Sequence, residues 1–122
     1  MRGISLCVSF FVALGIASRA TDAEILARDI MGCREPEIFV DALKAIRDSA
    51  MGGATFSEMQ ARVAAERNKW LISGKCTWLT RGLPVVIEAR LDWAPGAQLI
   101  EVLPVGTTVS YWTADTALTP WD

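Results

Sequence analysis

No histidine occurs anywhere in this 122-residue chain. Ser-His-Asp and Cys-His nucleophile sets both need an imidazole to take the proton, so neither can be built here. Paired acids are the next possibility. Glu88 and Glu101 fall on neighbouring β-type runs and could meet, but glycosidase carboxylates must be held apart across a groove. Two acids on a solvent-facing sheet surface are ordinary. The stretch Met51-Gly52-Gly53-Ala54 lacks the Lys-Ser/Thr of a phosphate-cradling loop. We expect no catalytic residue, no cofactor and a non-enzymatic protein.

The residues left with chemistry to offer are cysteines and tryptophans. The chain opens with one cation, Arg2, followed by an apolar run from Ile4 to Ala17 and the small-residue ending Ser18-Arg19-Ala20. That is the pattern of a secretory signal peptide over residues 1–20. The run of about 14 residues falls short of the ~20 that span a bilayer as a helix. The alternatives are an uncleaved anchor or a buried helix. Cys7 does not read as a lipidation site, because Leu6 stands where a small residue is wanted.

Cleavage after Ala20 leaves 102 residues with Cys33 and Cys76. An even count in an exported chain suggests a disulfide. A free thiol or half a metal site is the competing reading, but structural zinc wants four Cys or His ligands, so we expect no metal. Arg2 and Arg19 leave with the segment, so ten basic residues face fourteen acidic ones and the net charge is −4. That balance argues against nucleic acid and against anionic membrane surfaces. We expect a periplasmic or secreted protein with no stable membrane span after cleavage.

Five tryptophans are the compositional excess. Trp70, Trp78 and Trp112 read first as core, and Trp121 lies near the terminus. Trp93 differs, since it sits beside the turn Ala94-Pro95-Gly96, where a rigid aromatic tends to project. With Tyr111 or Trp112 it would line a shallow groove, and aromatics of this kind dominate interface energetics. Trp93, Tyr111 and Trp112 are therefore the candidate binding residues.

These side chains need elements to position them. Residues 21–31 suggest one or two helical turns or a loose terminus. Glu35-Pro36-Glu37 opens a helix, with proline and acid suited to the first turn. Ile38, Phe39, Ala42, Leu43, Ile46 and Ala50 share one face at three-and-four spacing. Asp41, Lys44, Arg47 and Asp48 lie opposite, with Asp41 and Lys44 three apart, and Gly52-Gly53 stops the helix. Thr55 and Glu58 form a capping-box pattern for a second helix, about Phe56 to Leu71, whose inward positions are Phe56, Met59, Val63 and Trp70.

Beyond Gly74 the chain turns to β-type runs broken by Gly and Pro, which point to a small twisted sheet or barrel. Val85, Ile87 and Ala89 alternate with Val86, Glu88 and Arg90, giving one dry face and one wet. Cys33 precedes the first helix and Cys76 opens the first strand, so a bridge would fasten both ends of the helical hairpin to the sheet. Ala114 to Leu118 suggests a tight helical turn that tucks Leu118 back in. The expected fold class is α+β: a two-helix hairpin packed on a small antiparallel barrel-like sheet, with one disulfide. Residues 21–74 form the helical segment and 75–122 the barrel-like segment of one domain.

The runs Gly82-Leu83-Pro84-Val85-Val86-Ile87, Leu99 to Gly106 and Tyr111-Trp112-Thr113, followed by Ala117-Leu118, resemble bacterial Src-homology-3-type barrels. They also resemble small exported proteins of uncharacterised function that join such a barrel to a two-cysteine helical segment. The similarity covers Cys76 to Leu118, about two-fifths of the mature chain, and the stretch is short enough that one strand is missing or very brief. The resemblance implies binding of a peptide, cell-wall fragment or envelope protein, without catalysis by the barrel. A small inhibitor or immunity-type protein that blocks an exported enzyme is the alternative.

Overall fold

The computed structural model describes residues 23–120; the signal-type segment and Trp121 lie outside them. Six strands make one antiparallel sheet: β1 (Glu24–Ile25), β2 (Ile30–Cys33), β3 (Cys76–Leu79), β4 (Pro84–Ala94), β5 (Ala97–Pro104) and β6 (Tyr111–Ala114). Two helices, α1 (Pro36–Met51) and α2 (Phe56–Ile72), are inserted between β2 and β3, and a 3-10 turn (Asp115–Leu118) follows β6. The sheet order is β1-β4-β5-β6-β2-β3. It does not close, leaving β1 and β3 as edges, so the barrel-like description holds only loosely.

The helical turns expected over residues 21–31 are not formed among residues 23–31. The described part of that stretch supplies β1 and the start of β2 instead, because tertiary pairing outweighs a weak helical pattern. Ile25 and Glu24 pair with Pro84 and Val85, and β2 is held on both sides, by β3 and by β6. The segment between them is stitched down as well. Ala27 N–H donates to the Ala117 carbonyl, and the Arg28 guanidinium donates to the Thr119 carbonyl at 2.6 and 2.9 Å.

The helical hairpin is an excursion between two adjacent strands, and a disulfide closes its neck. Cys33 and Cys76 face each other directly across β2 and β3, with their Cα atoms 3.9 Å apart. Arg34 N–H donates to the Lys75 carbonyl just beyond them. That bond marks the cysteines as a non-hydrogen-bonded pair, the position where antiparallel strands approach most closely. Both cysteines are buried.

The sheet has a core on each face. On the inner face Leu26, Leu79, Val85, Ile100, Val102 and Ala117 pack together, with Leu83 and Leu118 closing the end. On the helix face Met31, Cys33, Phe39, Ala42, Cys76 and Leu99 form the second cluster, flanked by Trp70 and Trp112. Thr113 is buried between strands and donates its hydroxyl to the Met31 carbonyl at 3.0 Å.

The two helices contribute unequally. α1 buries Phe39 and Ala42, in line with its periodic face. α2 begins at a cap in which the Thr55 hydroxyl accepts from Glu58 N–H at 3.1 Å, while the Glu58 carboxylate reaches back to Ala54 N–H at 3.3 Å. Thr55→Ala should cost about 1 kcal/mol in urea unfolding. No cost at all would mean that the helix start is held by other contacts. No residue of α2 is fully buried. Phe56 and Met59, expected to face inward, are 62% and 40% exposed. α2 leans on α1 along its length and meets the sheet through its last turns, where Trp70 and Leu71 pack into the helix-side cluster.

Candidate functional site

The strand pair that carries Trp93 departs from simple alternation. Ile87 pairs with Val102, but Ala89, not Glu88, pairs with Glu101. Glu88 is thus the extra residue of a bulge, which reverses the sidedness of everything after it. The expected dry row Val85, Ile87, Ala89 is therefore broken. Ala89 and Leu91 cross to the helix face, where Leu91 stands opposite the buried Leu99. Glu88 itself has no register partner on β5 and accepts a hydrogen bond from the Ser110 hydroxyl.

A second irregularity follows between Asp92 and Ala94 and falls on Trp93. Ala94 and Ala97 then close the hairpin around Pro95-Gly96. Gly96 has φ +74°, a conformation that glycine adopts without steric cost and that proline-glycine turns of type II require.

The result is a cleft of about 280 Å³ between this hairpin and the start of α1. Pro36, Val40 and Leu99 contribute its apolar lining, Leu91 and Trp93 form one lip, and Glu37 and Asp41 of α1 form the other. Leu91 is 43% and Trp93 42% exposed, an unusual position for two large apolar side chains on one short strand segment. Asp41 and Lys44, three apart on α1, form no ion pair. Among the described residues the ion pairs are Arg47–Asp48 and Lys69–Glu66, so Asp41 and Glu37 flank the cleft as unpaired carboxylates.

Tyr111 and Trp112 are not brought into this cleft. They are consecutive on β6 and therefore point to opposite faces. Tyr111 packs on the inner core, crowding Gly32 so closely that a Cβ there would come within 3.0 Å of Tyr111 Cβ. It also lines a separate hollow of about 420 Å³ between β3 and the loop before β6, with Thr77, Trp78, Thr107 and Val109. Trp112 is half-buried, pairs with Cys33 and Glu101, and packs into the helix-side cluster. The sequence reading of one groove shared by Trp93 with Tyr111 or Trp112 is corrected to three separate placements.

Trp70 is part-buried against the helix-side cluster, with its Nε1 buried and without a hydrogen-bond partner among the described residues. Trp78 does not, being 40% exposed with the Arg67 guanidinium 5.0 Å from its ring centroid. A third hollow lies on the outer side of α2, along Phe56, Met59, Val63 and Arg67. Reasoning from residue types missed Leu91, Val40, Glu37 and Asp41 as neighbours of Trp93. The bulge that turns Leu91 toward α1 has no sequence signal beyond a glutamate in an otherwise apolar run.

Among the described residues no group of three or more Cys, Asp or Glu could hold a metal, and no helix is long and apolar enough to cross a membrane. Fold and site together define a disulfide-closed α+β domain that presents an aromatic cleft. Comparison with protein-family models, characterised proteins and solved structures returned no significant match.

Proposed function

We propose that this chain is a non-enzymatic, exported binding module that recognises a peptide, cell-wall fragment or envelope protein through the cleft at Trp93. The observation that carries the reading is the pair Leu91 and Trp93, held half-exposed over an apolar floor by a bulged and tightly turned hairpin. Exposed aromatic anchors over concave apolar surface are typical of binding hot spots. Export is supported by the signal-type segment over residues 1–20 and by a bridge that an oxidising compartment would form. The sequence resemblance is to Src-homology-3-type barrels. Such barrels receive extended peptides on aromatic surfaces.

The test is Trp93→Ala. Retention of an envelope-fraction partner on the immobilised protein should be lost, while unfolding stability stays within ~0.5 kcal/mol of the parent. Unchanged retention with a large loss of stability would assign Trp93 to packing instead. The unpaired carboxylates of Glu37 and Asp41 favour a second version, an inhibitor or immunity-type protein that blocks a basic exported enzyme. That version requires a tight stoichiometric complex whose affinity falls with salt, and a salt-independent complex contradicts it.

A further inference from the structure

We infer that the Trp93 cleft takes the cationic side chain of a partner, a lysine or arginine flanked by apolar residues. The inference rests on the binding-module reading and specifies its chemistry. A volume of about 280 Å³ lies just under the ~300–1,000 Å³ of small-molecule pockets, so it has room for one or two side chains. Its floor, made by Pro36, Val40 and Leu99, suits the methylene stem of a long basic residue, which buries its carbons and keeps its charge at the rim.

The rim supplies the matching charge. Glu37 and Asp41 stand one turn apart on α1 and so on the same side of the helix, and both are exposed. Glu35 precedes them at the helix start without making a side-chain cap. Among the described residues no cation forms an ion pair with these acids. Arg90 reaches to Gln98, and neither Arg34 nor Lys44 lines the cleft. The positive helix end offsets only about half a charge.

The other tryptophans of the helix face make the contrast sharper. Trp78 has the Arg67 guanidinium at 5.0 Å and Trp70 has the Lys75 ammonium at 5.9 Å from their ring centroids. Both lie within the ~6 Å range of cation–π attraction. Trp93 shares its cleft with two carboxylates on the opposite lip and has, among the described residues, no such cation from its own chain. A basic side chain from outside would meet the Trp93 indole, an apolar stem site and two acids at once.

The experiment uses the mature protein and two capped peptides, acetyl-Gly-Leu-Lys-Leu-Gly-amide and its glutamate counterpart. The readout is the Trp93 indole N–H resonance, assigned as the signal missing from Trp93→Phe. The lysine peptide should shift that resonance saturably at low salt, and the glutamate peptide should not. In the double variant Glu37→Gln, Asp41→Asn, isosteric changes at exposed positions, the lysine-peptide Kd should rise about fivefold or more. Equal response to both peptides, an unchanged Kd in the double variant, or no shift of Trp93 at millimolar lysine peptide would each overturn the cation assignment. None of these would touch the module reading, which stands or falls on partner retention by Trp93→Ala.

Discussion

Replacing Cys33 and Cys76 together with alanine is expected to lower unfolding stability by about 4 kcal/mol. The bridge closes a loop with a sequence separation of 43, and the chain-entropy model assigns a loop of that length ~4 kcal/mol. Small domains hold only ~5–15 kcal/mol in all, so the variant should lose a large share of its stability and about 20 °C in Tm. The position of the bridge makes the expectation local as well. Everything from Arg34 to Lys75 leaves the sheet and returns at the same point, and α2 brings back no fully buried residue to anchor itself. Amide exchange in α2 should therefore accelerate more than exchange in β4 and β5. A loss below 1 kcal/mol, or uniform exchange across the chain, would mean that the four β2–β3 pairs and the Phe39 packing close the hairpin unaided.

Phe39→Ala should be comparably damaging, at about 3–5 kcal/mol. Phe39 is 1% exposed and is the largest side chain that either helix commits to the core. It belongs to the cluster of Met31, Ala42, Leu99 and the two bridged cysteines, so truncation leaves a cavity in the helix-side core. Phe56 provides the internal control. The same residue type stands at the start of α2 with 62% of its surface in solvent, and Phe56→Ala should change stability by no more than ~0.5 kcal/mol. Urea titration of both variants checks the pair. Equal losses would contradict the assignment of α2 as a helix supported mainly by its partner helix.

The contrast between these two phenylalanines also marks how far residue patterns reach. Spacing alone identifies both helices nearly to their ends, because capping, proline and glycine signals are local and short-ranged. The same spacing groups Phe56, Met59 and Val63 on one stripe but does not say what covers the stripe. Here nothing among the described residues covers it fully. Residues 30 and 31 end a stretch that reads as helical turns or a loose terminus, yet two neighbouring strands supply the pairing that makes residues 30–33 β2, and that contact is invisible locally.

The candidate site divides in the same way. Trp93 stands out because a proline-glycine turn follows it, which is a local cue. Its partners on α1 come from more than fifty residues upstream and depend on the bulge at Glu88. Tyr111 and Trp112 were separated by the simplest rule of strands, since neighbours on one strand face opposite ways. The disulfide was legible from cysteine count and placement, although the close β2–β3 pairing beneath it was not.

The reading of an exported, covalently closed binding domain is tested most directly by intact-mass analysis with thiol alkylation of protein recovered from producing cells. The account predicts a chain that begins at Thr21 and takes up no alkylating agent until reductant is added, after which Cys33 and Cys76 each accept one. A chain that retains Met1 and alkylates at both Cys33 and Cys76 without reductant would contradict it.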